Sequence, residues 1–206
     1  MASRKTLLIG VVVAVLFVVG VAYYVFLAKG GIGSSAGSSR GSGGSGPIRV
    51  EVLSVEKGVT AVKYKVAEAS GVSTYTSFHV KDGLEGYLLR IRVSNTGSET
   101  YALGIVLVTS KGRQLGLLQG EMGIEAIVTS PGIATGEQKA LLEQAREYPE
   151  DMTQAIAGTI PQLAPGASTE QILLYGLQPG EKPVKLHVIA KSLSGRVIEF
   201  DVPIRG

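Results

Sequence analysis

The chain has 206 residues, 45% of them hydrophobic, with 20 Lys and Arg against 17 Asp and Glu, a net charge of +3 at pH 7, and no cysteine. The charge is unevenly placed: residues 1–46 hold Arg4, Lys5, Lys29 and Arg40 and no acid, so residues 47–206 carry 16 basic against 17 acidic residues and are near neutral. The near-neutral part lacks the basic footprint that nucleic-acid binding needs, and the missing cysteines exclude disulfides, thiolate metal sites and cysteine nucleophiles.

Residues 1–29 read as a transmembrane anchor. The run from Leu7 to Ala28 is apolar and uncharged, and its length of about 33 Å as a helix matches the hydrocarbon core of a bilayer. Arg4 and Lys5 before it, against Lys29 after it, favour a cytoplasmic N-terminus by the positive-inside rule, and Tyr23 and Tyr24 suit the outer interface. A cleaved signal peptide with an exit at Gly20-Val21-Ala22 is the alternative, although the segment stays apolar for six residues beyond Ala22. Both readings put the remainder outside the cytoplasm, and the first makes the protein a single-pass protein of the plasma membrane.

Residues 30–46 are a linker in which 14 of 17 positions are Gly or Ser. Such a tract buries nothing that would offset its ordering entropy, so a flexible coil spanning roughly 20–25 Å is expected. Two Gly-x-Ser-x-Gly matches, around Ser35 and Ser39, fall inside it. With no strand before them and no helix after, they lack the strained turn that a hydrolase nucleophile requires.

From residue 47 to 206 the dominant pattern is period-two alternation bounded by Gly, Pro and Ser, which predicts an antiparallel β-sandwich. Ile48, Val50, Val52 and Val55 begin it, and their shift from even to odd positions implies a bulge or bend near Leu53. After Lys57-Gly58, the run Val62, Tyr64, Val66 suggests a strand that returns as a hairpin on the first. Further strands are expected at 74–80, 87–94, 101–109, 171–175, 184–190 and 197–204. One segment differs: Thr135 and Gln138 have capping-box spacing and open a helix expected over 137–148, with Leu141, Ala145 and Tyr148 on one face and Pro149 as its stop. The stretch 112–159 therefore reads as a helical insertion, and insertions on a rigid scaffold commonly carry recognition. Glu143, Arg146 and Glu147 would face outward there and are the expected partner-binding residues.

The strand Leu88-Leu89-Arg90-Ile91-Arg92-Val93-Ser94 ending in Asn95-Thr96-Gly97, with Leu163-Ala164-Pro165-Gly166-Ala167-Ser168 launching a later strand, resembles the immunoglobulin-like, telokin-like extracellular domains of prokaryotic lipoproteins and membrane-anchored surface proteins. The resemblance covers roughly residues 48–204, leaves the helical insertion unaccounted for, and implies a surface-binding or structural role with no catalytic set.

Chemistry has few carriers. His79 and His187 would need to meet a carboxylate such as Asp82 or Glu85 to bind a metal, and isolated strand histidines on solvated faces are the expectation. The pairs Asp82/Glu85, Glu121/Glu125 and Glu150/Asp151 lack the spacing of a calcium loop and read as solvated loop charge. No phosphate-cradling Gly-rich loop lies between a strand and a helix. No catalytic residue, metal site or cofactor is expected. The function indicated is a non-catalytic, membrane-anchored cell-surface module that binds envelope proteins, polymers or itself; a pilus or filament subunit and an accessory subunit of a membrane complex are the alternatives.

Overall fold

The computed structural model describes residues 46–69, 72–116, 121–132, 134–156 and 158–204. The expected anchor 1–29, and the linker 30–46 apart from Gly46, lie outside the described residues. No helix among the described residues is long and apolar enough to cross a membrane.

The described residues are mostly β. Strands β1 (Ile48–Lys57), β2 (Ala61–Ala69), β3 (Val72–Val80), β4 (Glu85–Asn95), β5 (Tyr101–Thr109), β6 (Gln114–Leu115) and β7 (Ile124–Thr129) precede helix α1 (Gly136–Gln144). Strand β8 (Arg146–Glu147), a 3₁₀ turn at Glu150–Met152, β9 (Thr159–Leu163), β10 (Ser168–Leu177), β11 (Pro183–Ser192) and β12 (Val197–Pro203) follow. They form three sheets in the orders β1-β4-β10, β12-β11-β5-β6 and β7-β3-β2-β8, with β9 also on β5. Every pairing is antiparallel except that of β8 with β2.

Strands β4 and β10 explain this arrangement. Tyr87, Leu89, Ile91 and Val93 of β4, with Leu173, Tyr175 and Leu177 of β10, join Leu103, Ile105 and Leu107 of β5 and Leu186, Val188 and Ala190 of β11 in the main core. The opposite faces of the same two strands carry Leu88, Ile172 and Leu174, which form a second apolar cluster with Val59, Val62 and Ile156. The β1-β4-β10 sheet is thus covered on both faces over half its length. Each of these fully buried aliphatic side chains contributes roughly 1.5–3 kcal/mol. Toward the other end of β4, Arg90 and Arg92 replace apolar residues on the second face and pair with Glu170 of β10, and that face is open to water.

The expected hairpin of β1 on β2 does not form: β1 pairs with β4, and β2 pairs with β3. The cause lies in the apolar faces. Val50, Val52 and Val55 of β1 pack on the main core, whereas Val62 of β2 belongs to the second cluster, so the chain crosses from one sheet to another at Gly58–Thr60. There the Gly58 N–H donates to the Gly86 carbonyl at 2.8 Å, and a Cβ on Gly86 would collide with the Val59 carbonyl. The expected bulge is present, as a register shift between Val52 and Ser54.

The capping box also forms, with the Thr135 hydroxyl accepting from Gln138 N and the Gln138 side chain accepting from Thr135 N. The helix is shorter than expected, Gly136–Gln144 in place of 137–148. Ala145 is extended, Arg146 and Glu147 pair with Val62 and Lys63, and Tyr148 N donates to Lys63 O at 2.9 Å. Pro149 disfavours helical backbone at Tyr148, and the edge of β2 supplies the alternative hydrogen bonds. The buried leucine of α1 is accordingly Leu142, while Leu141 is half-buried. The stretch 112–159 contributes strands to two of the sheets: β6 and β9 extend the β5 sheet, and β7 and β8 flank β3 and β2.

Buried polar side chains tie the connections down. Asn95 donates through Nδ2 to the carbonyls of Glu99 (2.7 Å) and Leu163 (3.0 Å) and accepts from Gly97 N (3.0 Å). Gln171 accepts from Ala155 N (2.9 Å) and donates to Asp151 O (2.7 Å), holding the segment after the 3₁₀ turn against β10.

Leu142→Ala is expected to lower stability by about 2–4 kcal/mol and Leu141→Ala by distinctly less, read by equilibrium denaturation of the two variants. Equal losses would mean that the helix face is not the one described.

Candidate functional site

The three residues that the sequence marks for partner contact are all exposed, but they do not share a helical face. Glu143 sits in the last turn of α1, and Arg146 and Glu147 form β8. Arg146 is already engaged. Its guanidinium donates to both carboxylate oxygens of Glu56 at 2.7 Å and to the Tyr148 hydroxyl at 3.3 Å, so it clamps β8 to the end of β1. The Arg146 hydrogen bond holds the Glu56 carboxyl below the usual value, and the same contact raises Arg146. Removing Arg146 would therefore disturb a tertiary link as well as any recognition.

The two histidines stand in different sheets. His79 is buried, contrary to the expected solvated position, with Nε2 2.9 Å from the Ser77 hydroxyl. Burial lowers its pKa, against the opposing pull of Glu125, which stands opposite it in β7. His187 lies on β11 in another sheet, 2.9 Å from Asp201, which Lys185 also contacts at 2.6 Å. The two imidazoles cannot share a metal, and no cluster of three or more His, Asp or Glu placed to hold one occurs among the described residues. One member of each of two carboxylate pairs is taken by a cation: Glu85 pairs with Lys57 at 2.9 Å and Glu121 with Lys81.

One buried carboxylate had no signal in the sequence. Glu181, fully buried at the β10–β11 turn, accepts from the Thr109 hydroxyl and from Gln178 N, and lies 3.2 Å from Arg113. Burial pushes its pKa up, but those hydrogen bonds and the Arg113 charge outweigh it, and the carboxyl stays below its usual value. The Tyr87 hydroxyl donates to its carbonyl at 3.2 Å, so this residue joins three sheet connections. Tyr175 is also fully buried, and burial raises its pKa; its hydroxyl has no hydrogen-bond partner among the described residues.

The open feature is a groove between β1 and β12, the terminal strands of two sheets. It has a volume of about 590 Å³ where Arg49, Glu51 and Arg92 face Phe200, Asp201 and Val202, and it continues along Val52–Val55. Half-buried Val50, Val52 and Val55 on one side and Phe200 and Val202 on the other pack against the main core and form its floor. No described strand pairs with the outer side of β1 or β12. Unpaired backbone beside an apolar floor is the arrangement that accepts an added strand. The alternation of β1 makes its two faces legible in the sequence, but not which strand would be terminal.

No family model matches the chain, and no curated protein matches it. Among solved structures it is similar to Northeast Structural Genomics Consortium target SoR45, with a TM-score of 0.30 and 11% identity over 76% of this chain and 82% of that one. A second is the putative ApaA protein from Bordetella pertussis, with a TM-score of 0.26 and 15% identity over 77% of this chain and 90% of that one. At such TM-scores the likenesses carry no argument about fold or function.

The titrations give the domain a defined acid response. His79 is depressed below its ordinary 6.5, so its contribution is complete above about pH 6.5 and is lost as pH falls, because the unfolded state takes the proton first. Glu181 is depressed as well; its contribution is present above the usual carboxylate range and is lost as pH drops through its folded value. Thermal midpoints should fall in two stages on acidification. His79→Gln should remove the upper stage and leave the lower one, which melting curves between pH 7.5 and pH 3 would read.

Proposed function

We propose that the chain is a non-catalytic cell-surface module, held at a plasma membrane by the apolar segment Leu7–Ala28 and carried on the Gly/Ser linker. Its outer, immunoglobulin-like domain engages envelope proteins, polymers or further copies of itself. The observation that carries this reading is the groove between β1 and β12, where two sheet edges and an apolar floor face solvent together. Buried polar clamps at Asn95, Gln171 and Glu181 keep the flanking connections rigid, which suits a surface that meets partners without reorganising. Glu143 and Glu147, exposed beside Arg146, form a second contact surface.

Protease added to intact cells should release a soluble fragment cut within residues 30–46, and a photo-reactive side chain at Ser54, on the rim of the groove, should cross-link the full-length chain to a partner in its membrane. Cross-linking from Glu143 alone would move the contact to the second surface. Protection of the outer domain in sealed cells would overturn the topology, and no cross-link from either position would overturn the binding role.

A further inference from the structure

We infer that the occupant of the β1 edge is a second copy of this chain, paired β1 to β1 antiparallel about a two-fold axis at Val50. The inference deepens the reading of the β1–β12 groove as the contact surface and rests on it.

Three features of β1 define the pairing. The first is the direction of its backbone groups. Thr96 N donates to Pro47 O at 2.7 Å, while Asn95, directly opposite Ile48, turns its own N–H and C=O to Ala167 and Gly166. Pro47, and with it Arg49 and Glu51 at the same phase, therefore directs backbone groups at β4. Ile48, Val50 and Val52 direct theirs outward. Two copies related through Val50 set these outward groups against one another, Val50 opposite Val50 and Ile48 opposite Val52, as hydrogen-bonded pairs.

The second feature is charge. In that register Arg49 of each chain stands opposite Glu51 of the other, in the narrow pairs where opposed Cα atoms are only about 4.5 Å apart. Shifting the axis to Arg49 or to Glu51 would set like charges against each other, which is unfavourable. Arg49 has no ion-pair partner among the described residues. Glu51 is 66% exposed with a long 3.6 Å contact to Arg92, whose closer partner is Glu170 at 2.8 Å. Pairing would extend the existing row Glu170, Arg92, Glu51 by one further cation.

The third feature is the floor. Ile48, Val50 and Val52 face the core side of the sheet, so the same residues of the second copy would extend that apolar face over Phe200 and Val202. The other terminal strand is built against self-pairing: β12 exposes Glu199 and Asp201, which oppose each other about an axis at Phe200, and it ends in Pro203, which cannot donate. The bulge at Leu53 limits the β1 pairing to about seven residues, Pro47–Leu53 of each copy. The two Gly46 positions would then lie about 26 Å apart along the strands, a separation that linkers of 17 residues in each chain can span to one membrane.

The test uses the full-length chain in detergent, with mass determined by light scattering or sedimentation. Wild type should be dimeric. Arg49→Glu should weaken self-association roughly tenfold, since both symmetry-related pairs become repulsive, and Glu51→Arg should do the same. An equimolar mixture of the two variants should recover the dimer, because each variant complements the other at both pairs. Because the chain has no cysteine, Arg49→Cys and Glu51→Cys chains can be mixed and oxidised: the mixture should cross-link several times more than either alone. A monomeric wild type, unchanged association in both charge variants, or no rescue in the mixture would overturn the pairing. A monomer that still cross-links from Ser54 to a different membrane protein would overturn it while leaving the proposed function standing.

Discussion

The constraint on which the molecule depends is that β4 and β10 are apolar on both faces over one half of their length and on one face over the other. Leu89 and Leu173 point to one core, Leu88 and Leu174 to the other. A strand pair of that kind is stable only between two other layers, so a third sheet, β7-β3-β2-β8, covers what a two-sheet sandwich would leave wet. Where Arg90 and Arg92 begin, the cover ends, and Glu170 compensates both cations at the surface.

The connections between these layers are held by a few buried polar side chains rather than by further apolar packing. Asn95 joins the turn after β4 to the end of β9, Gln171 fixes the segment behind the 3₁₀ turn, and Glu181 links the β10–β11 turn with Thr109, Arg113 and, through its backbone, Tyr87. Each of these groups would be costly to bury alone and is nearly saturated where it sits. They hold the connections at the ends of the sheets, and the groove is left at the side.

That side is where sheet edges must be managed. Strand β12 is blunted by acidic residues and a proline, whereas β1 carries before its bulge one cation, Arg49, and one anion, Glu51, two positions apart. Edge strands without such devices invite pairing with another chain. Under the proposed β1 pairing, the asymmetry between the two edges, more than the helix-bearing stretch 112–159, would set the kind of partner this surface meets. Arg146 illustrates the contrast, because an exposed cation that looked available is committed to Glu56.

By itself the sequence determined what depends on neighbours along the chain. Alternation located most strands to within a few residues, the even-to-odd shift located the bulge at Leu53, and Thr135 with Gln138 located the start of the helix, because period, bulge and cap are set by residues within one or two turns of each other. Tertiary structure alone decided which strands met. Alternation says which residues share a face, but not which core that face meets, so β1 paired with β4 rather than β2. His79 became buried, and Leu142 rather than Leu141 turned inward. The helix end was decided the same way, since Arg146 and Glu147 found in the edge of β2 hydrogen-bond partners that a helix would otherwise have supplied. The groove belongs to this second class, because it exists only where the last strands of two separate sheets lie side by side.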